Sequence, residues 1–121
     1  MSASQKILLV GCGKMGGAML RGWLARGVAT NNVCVVEPFA DAAAALRQEL
    51  SVAVVADAAD IGQFSPDIVV FAVKPQGMDE IVPAYADYAA NGAAFLSIAA
   101  GRTIAYFESH LGAQAAVVRT M

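Results

Sequence analysis

Residues 7–17 read ILLVGCGKMGG. A short apolar run that stops at a GxGxxG loop (Gly11-Cys12-Gly13-Lys14-Met15-Gly16) constrains the fold more than any other stretch of this chain. Each glycine has its own mechanical task. Gly11 lets the chain turn sharply out of a strand. Gly13 has no Cβ, so a pyrophosphate can approach the backbone. Gly16 lets the following helix lie close against a sheet. That helix opens with N–H groups that have no intrahelical partner and with the positive end of its dipole, a ready seat for an anion.

A bare GxGxxG occurs in many turns, so its surroundings decide its meaning. Lys6-Ile7-Leu8-Leu9-Val10 before it reads as a buried strand. After it, Met15, Met19 and Trp23 with Leu20 and Leu24 make one apolar helical face, and Gly27 supplies a C-terminal stop. Glu37 lies 21 positions after Gly16, at the end of the next apolar run, Val33-Cys34-Val35-Val36. Strand, glycine loop, helix, strand and acid together point to dinucleotide binding, against the plainer reading of a structural glycine turn.

The chain has 121 residues, enough for one domain with a real core. Its net charge is −2, and its eight Lys and Arg are scattered with no basic stripe, which argues against a nucleic-acid partner. Hydrophobic residues make up 58%. Two explanations fit: a parallel sheet covered on both faces, and apolar surface meant for a further domain or subunit. No apolar run approaches the length of a membrane span, and the N-terminus lacks a signal-peptide pattern, so a cytoplasmic location is expected. Cys12 and Cys34 have no ligand cluster around them, and no metal site is expected. Cys12 fills a free position of the glycine loop, and Cys34 reads as a buried strand residue.

Strand and helix patterns alternate along the whole chain. Strands are expected at Ile7–Val10, Val33–Glu37, Ala53–Val55, Ile68–Ala72, Ala94–Ile98 and Ala116–Arg119. Helices are expected near Lys14–Arg26, Asp41–Leu50, Met78–Ala89 and Thr103–Leu111, with a short helix or turn in Asp57–Phe64. This is the α/β class: a Rossmann-type doubly wound parallel sheet of about six strands, helices on both faces, in the order 3-2-1-4-5-6. Asp41 and Thr103 are candidate helix caps. Pro83 should delay or kink its helix, and Asn91-Gly92 marks the turn into the fifth strand. One cofactor-binding domain, residues 1–121, is expected, with no boundary inside it.

Glu37 can accept hydrogen bonds from adenosine ribose hydroxyls and repel a 2′-phosphate, which favours NADH; the alternative is a solvated charge closing a strand. Arg47 lies too far along its helix to compensate a 2′-phosphate. Ala72-Val73-Lys74-Pro75-Gln76 leaves the fourth strand at the switch point, beside the glycine loop, where Pro75 stiffens the chain. Lys74 is then a candidate for the nicotinamide end or simply a solvated lysine. Ser97-Ile98-Ala99-Ala100-Gly101 ends strand five on the same edge, either to admit a flat ring or as a tight turn. His110, the single histidine, reads as a C-terminal dipole partner rather than a catalytic acid. No catalytic set can be assembled, and the catalytic residues stay unknown.

Four segments in order, Gly11 to Ala18, Ala72 to Gln76, Ser97 to Gly101 and Val118 to Met121, resemble the N-terminal domain of pyrroline-5-carboxylate reductases across essentially the whole chain. The resemblance implies NAD(P)H-dependent reduction of the imine of 1-pyrroline-5-carboxylate to L-proline, the last step of proline synthesis. It implies cofactor contacts from Gly11, Cys12, Gly13, Lys14, Met15 and Gly16 to the pyrophosphate and from Glu37 near the adenosine ribose. It further implies that Ala72, Val73, Lys74 and Pro75 border the nicotinamide and that Ala99, Ala100 and Gly101 lie on the same edge. It also implies a homo-oligomer and a helical C-terminal domain that builds the dimer and much of the substrate pocket. That domain is absent from these 121 residues, so the chain alone is expected to bind dinucleotide weakly and to be inactive.

Two departures stand out. Many members of that family favour NADPH and carry a small polar residue, often with a nearby Arg, where this chain has Glu37-Pro38-Phe39. Some place an Asn after strand three, where this chain has Ala58-Ala59 between two aspartates. Three other readings share part of the pattern: a β-hydroxyacid-type dehydrogenase domain, a non-catalytic NAD(P)-sensing domain, and a methyltransferase using S-adenosylmethionine. The lysine-proline loop and Ala99-Ala100-Gly101 favour the imine reductase.

Overall fold

In a computed structural model of the chain, residues 5–73, 78–97, 104–112 and 116–119 are described, without the side chains of Lys14, Met15, Ile104, Ala116, Val118 and Arg119. The six strands are β1 (Ile7–Val10), β2 (Val33–Val36), β3 (Ala53–Val55), β4 (Ile68–Phe71), β5 (Ala94–Ser97) and β6 (Ala116–Arg119). They form one sheet in the order β3-β2-β1-β4-β5-β6, and every pairing is parallel. This is the expected doubly wound sheet. The chain reverses its direction of travel across the sheet between β1 and β4, so the loops leaving those two strands open a crevice.

A parallel strand covered on both faces reads as unbroken apolar sequence, and β1 and β2 are buried at all four positions. Alternate residues feed two cores. Ile7, Leu9, Val33, Val35 and Val70 pack under Leu20 of α1 (Lys14–Ala25) and Ala43 and Leu46 of α2 (Ala40–Leu50). Leu8, Val10, Cys34, Val36, Val69, Phe71 and Phe95 pack under a second helical layer. In that layer Phe71 stacks on Phe95 and Phe107 at centroid distances of 5.9 Å and meets Tyr85 edge-on at 5.6 Å. Each such ring stabilises by roughly 1.5–3 kcal/mol through burial alone. Among the described residues only one large hydrophobic, Phe39, lies exposed. The sandwiched sheet therefore accounts for the apolar content of those residues.

The helical stretch after β4 bears out the expected effect of Pro83. It runs as α3 (Met78–Ile81), a 3₁₀ segment (Val82–Tyr85) and α4 (Ala86–Ala90), with Pro83 in the first turn of the 3₁₀ segment. The ring lacks an N–H and clashes with a preceding helical turn, so the winding tightens there. Met78, Val82, Tyr85 and Ala89 still share one buried face. The last of the described helices is α5 (Ile104–Leu111).

Asp41 is not the cap of its helix. The Phe39 carbonyl accepts the Ala43 N–H at 2.9 Å, so α2 begins one residue earlier and Phe39 holds the capping position without a side-chain bond. Asp41 lies inside the first turn, where its charge still complements the dipole. Thr103 lies outside the described residues. Strand ends expected at Glu37 and Ala72 close one residue sooner, at Val36 and Phe71, and Ile98 lies outside the described residues. The segment expected as a short helix or turn contains one 3₁₀ turn, Ala58–Asp60.

Candidate functional site

Parallel register sets the candidate site. Val10 pairs with Val36 on one side and Phe71 on the other, and Phe71 pairs with Ser97. The ladder continues one residue further. Gly11 N–H donates to the Val36 carbonyl at 2.9 Å, Ala72 N–H to that of Val10 at 2.8 Å, and Glu37 N–H to that of Val55 at 2.8 Å. Gly11, Glu37 and Ala72 therefore form one row just past the carboxyl ends of adjacent strands, where ligands of open α/β sheets bind.

The three loop glycines differ in what surrounds them. Gly11 has φ +84°, and a Cβ there would come within 2.7 Å of Val73 Cγ1 and 3.2 Å of the Ala72 carbonyl. Only a residue without a side chain turns here and lies this close to the loop after β4. A Cβ on Gly16 would stand 3.1 Å from the Gly11 carbonyl oxygen and 3.3 Å from Ala72 Cβ. The start of α1 thus rests on both loops. Around Gly13 a Cβ would meet nothing within 4 Å, so its open side faces solvent.

Gly13 caps α1 without a side-chain bond, and no acid occupies the first turn. The amides of that turn and the dipole are left for an external acceptor. The backbone of Lys14 and Met15 belongs to this turn. Sequence reasoning expected Ala72 and Val73 beside the glycine loop, and their contacts with Gly11 and Gly16 put them there. Lys74, Pro75, Ala99, Ala100 and Gly101 lie outside the described residues.

Glu37 is 6% exposed. Its Oε2 accepts the Phe39 N–H at 3.1 Å, while among the described residues nothing donates to Oε1. A buried carboxylate oxygen without a donor is costly, and a ligand hydroxyl would relieve it. Cys12, half-buried in the glycine loop, is close enough to feel this charge. Burial first, then the Glu37 carboxylate, push its thiol above the ordinary 9.0, with Arg21 pulling the other way. Cys12 is therefore a neutral thiol near pH 7. Cys34 is also free, and burial raises it as well. An open glycine backbone, an uncapped helix start and an under-satisfied acid one strand away fit a diphosphate joined to a ribose diol.

Two described cations near this edge have partners of their own. Arg47 donates through Nη2 to the Val54 carbonyl at 2.7 Å, which holds it against β3. Arg21 pairs with Glu49 at 3.0 Å, half-exposed and energetically slight. His110 Nδ1 lies 2.9 Å from the Tyr106 carbonyl in the last turn of α5. A carbonyl only accepts, so the ring N–H donates, which agrees with the dipole role expected from sequence. Among the described residues, no three His, Cys, Asp or Glu side chains group as metal ligands, and no helix is long and apolar enough to cross a membrane.

Sequence reasoning missed Phe39. An aromatic just after the acid and a proline was its only signal, since exposure is a property of the fold. It also missed the bond from Tyr106 Oη to Asp79 Oδ1, 2.5 Å long, which ties α5 to α3 across a separation of 27 residues.

Residues 6–101 match the family model described as NADP oxidoreductase, coenzyme F420-dependent. The chain belongs to that family. A pyrroline-5-carboxylate reductase of Mycobacterium tuberculosis (strain CDC 1551 / Oshkosh) is 39% identical over 96% of the chain. The match takes in 41% of that relative, so the chain spans about two-fifths of its length. A pyrroline-5-carboxylate reductase structure from Coxiella burnetii superposes with a TM-score of 0.89 at 27% identity, over 98% of this chain and 44% of that one. A Plasmodium falciparum pyrroline carboxylate reductase with NADP bound shares the fold, with a TM-score of 0.79 at 20% identity over 98% and 42% of the two chains.

Proposed function

We propose that this chain is the dinucleotide-holding part of a pyrroline-5-carboxylate reductase. The observation that carries the reading is the row Gly11, Glu37 and Ala72 past the strand ends, seen together with 39% identity to a reductase of that name. A bound NAD(P)H would supply a hydride from nicotinamide C4 to the imine carbon of 1-pyrroline-5-carboxylate, and a proton at the ring nitrogen would complete L-proline.

The chain's own residues bind and orient. Gly11, Cys12, Gly13, Lys14, Met15 and Gly16 offer backbone amides and the dipole of α1 to the pyrophosphate. Glu37 accepts from the adenosine ribose. Ala72, Val73, Lys74 and Pro75, with Ala99, Ala100 and Gly101, border the nicotinamide. Glu37 tilts the choice toward NADH: a 2′-phosphate would bring like charge against a buried carboxylate, with Arg47 held away on β3.

A chimera tests the reading. These 121 residues would replace the matching two-fifths of the Mycobacterium tuberculosis reductase. The expected result is reduction of 1-pyrroline-5-carboxylate. A soluble chimera that binds NADH or NADPH yet turns over nothing would remove the substrate assignment.

A further inference from the structure

Phe39 is 74% exposed, and no other large hydrophobic among the described residues is exposed. A lone exposed aromatic is ordinary on a protein surface. This one differs in how it is held. Its N–H donates to Glu37 Oε2 at 3.1 Å, and its carbonyl accepts from Ala43 N–H at 2.9 Å. The backbone on either side of its Cα is therefore fixed relative to the buried carboxylate, while its ring stays in solvent.

Resting on the reading of Glu37 as a ribose acceptor, we propose that Phe39 is the stacking platform for the adenine of the bound dinucleotide. In adenosine the base is attached at C1′, the carbon next to the one that bears the 2′-hydroxyl. A carboxylate that holds the ribose diol thus brings the base to its own immediate neighbourhood. Phe39 hangs from the residue whose amide that carboxylate already binds. Adenine is flat and presents a π-face to an aromatic ring, and stacking takes the exposed ring out of water. The pairing needs no charge, so it serves NADH and NADPH alike and leaves the choice between them to Glu37.

Titration with ADP-ribose, which keeps the adenosine half and lacks nicotinamide, tests the proposal. Phe39→Ala should weaken ADP-ribose binding about tenfold. Its melting temperature should stay unchanged, because the ring contributes little to the core. Phe39→Trp should restore the affinity, and ADP-ribose should quench the emission of the added indole. Equal affinity of the unaltered chain and Phe39→Ala, or an unquenched indole in a binding-competent variant, overturns the stacking role and leaves the dinucleotide reading standing. An unaltered chain that binds neither ADP-ribose nor either reduced dinucleotide overturns both.

Discussion

The backbone N–H of Phe39 donates to Oε2 of Glu37 at 3.1 Å, so the acid that follows β2 and the aromatic that caps α2 form one corner. The corner leaves the second carboxylate oxygen without a donor among the described residues. It also keeps the charge buried, where water screens it poorly.

Cofactor choice should follow from that corner. NADH should bind more tightly than NADPH, by a factor that reaches tens if the charge-assisted bond is worth about 1.5–3 kcal/mol. Glu37→Ser should narrow the gap or invert it. Parallel titrations of the two proteins with the two dinucleotides measure this, and tighter NADPH binding by the unaltered chain would reverse the reading of Glu37.

Two glycines of one loop should separate stability from affinity. Gly13→Ala adds a methyl where nothing stands within 4 Å, so the melting temperature should hold while dinucleotide affinity drops. Gly16→Ala sets a methyl 3.1 Å from the Gly11 carbonyl oxygen and 3.3 Å from Ala72 Cβ, and should destabilise by about 1–3 kcal/mol. Denaturant unfolding beside ligand titration gives both quantities. A Gly13→Ala protein with full affinity would mean that the pyrophosphate sits elsewhere.

The thiols set an alkaline limit. Cys12 and Cys34 are both raised in the fold above 9.0. Their contribution to stability is complete below the unfolded value and is lost as pH climbs through the folded one, because the unfolded chain then binds fewer protons. Unfolding free energy should accordingly fall as pH rises above about 9. Glu37→Gln removes a cause of the shift at Cys12, so that thiol should alkylate faster at fixed pH. Iodoacetamide kinetics across pH, with Cys34→Ala to isolate Cys12, follow this; an unchanged rate would separate the two side chains.

Phe71 anchors the second core. It is fully buried and touches the rings of Tyr85, Phe95 and Phe107. Phe71→Ala should cost about 3–5 kcal/mol, a large share of the roughly 5–15 kcal/mol by which a domain is stable. Thermal unfolding by circular dichroism reads the loss, and a shift of only a degree or two would mean that the cavity collapses freely.

Much of this architecture can be read from residue order. Four apolar residues before Gly11 and four before Glu37 leave little choice but buried parallel strands, and both have the expected bounds apart from Glu37 itself. Gly11 and Gly16 of the loop also turn and pack as their spacing suggests. Asp41 misled because a capping side chain and a first-turn acid look alike in sequence; the bond from Ala43 to Phe39 decides between them. Pro83 announced a disturbance but not its form, since a 3₁₀ turn and a kink both satisfy a missing N–H. The burial of Glu37, the exposure of Phe39 and the tether of Arg47 to β3 depend on contacts between segments, which no local pattern encodes. Lys74, Pro75 and Ala99 to Gly101 lie outside the described residues.

The near-contact of Gly16 with Ala72 has a consequence for how such chains diverge. Two loops remote in sequence share one small gap, so the sizes of residues 16 and 72 are not independent. A bulkier side chain at 72 would lever the first turn of α1 outward and spoil its aim without touching any bound molecule. Descendants of this chain should therefore keep both positions small or change them as a pair.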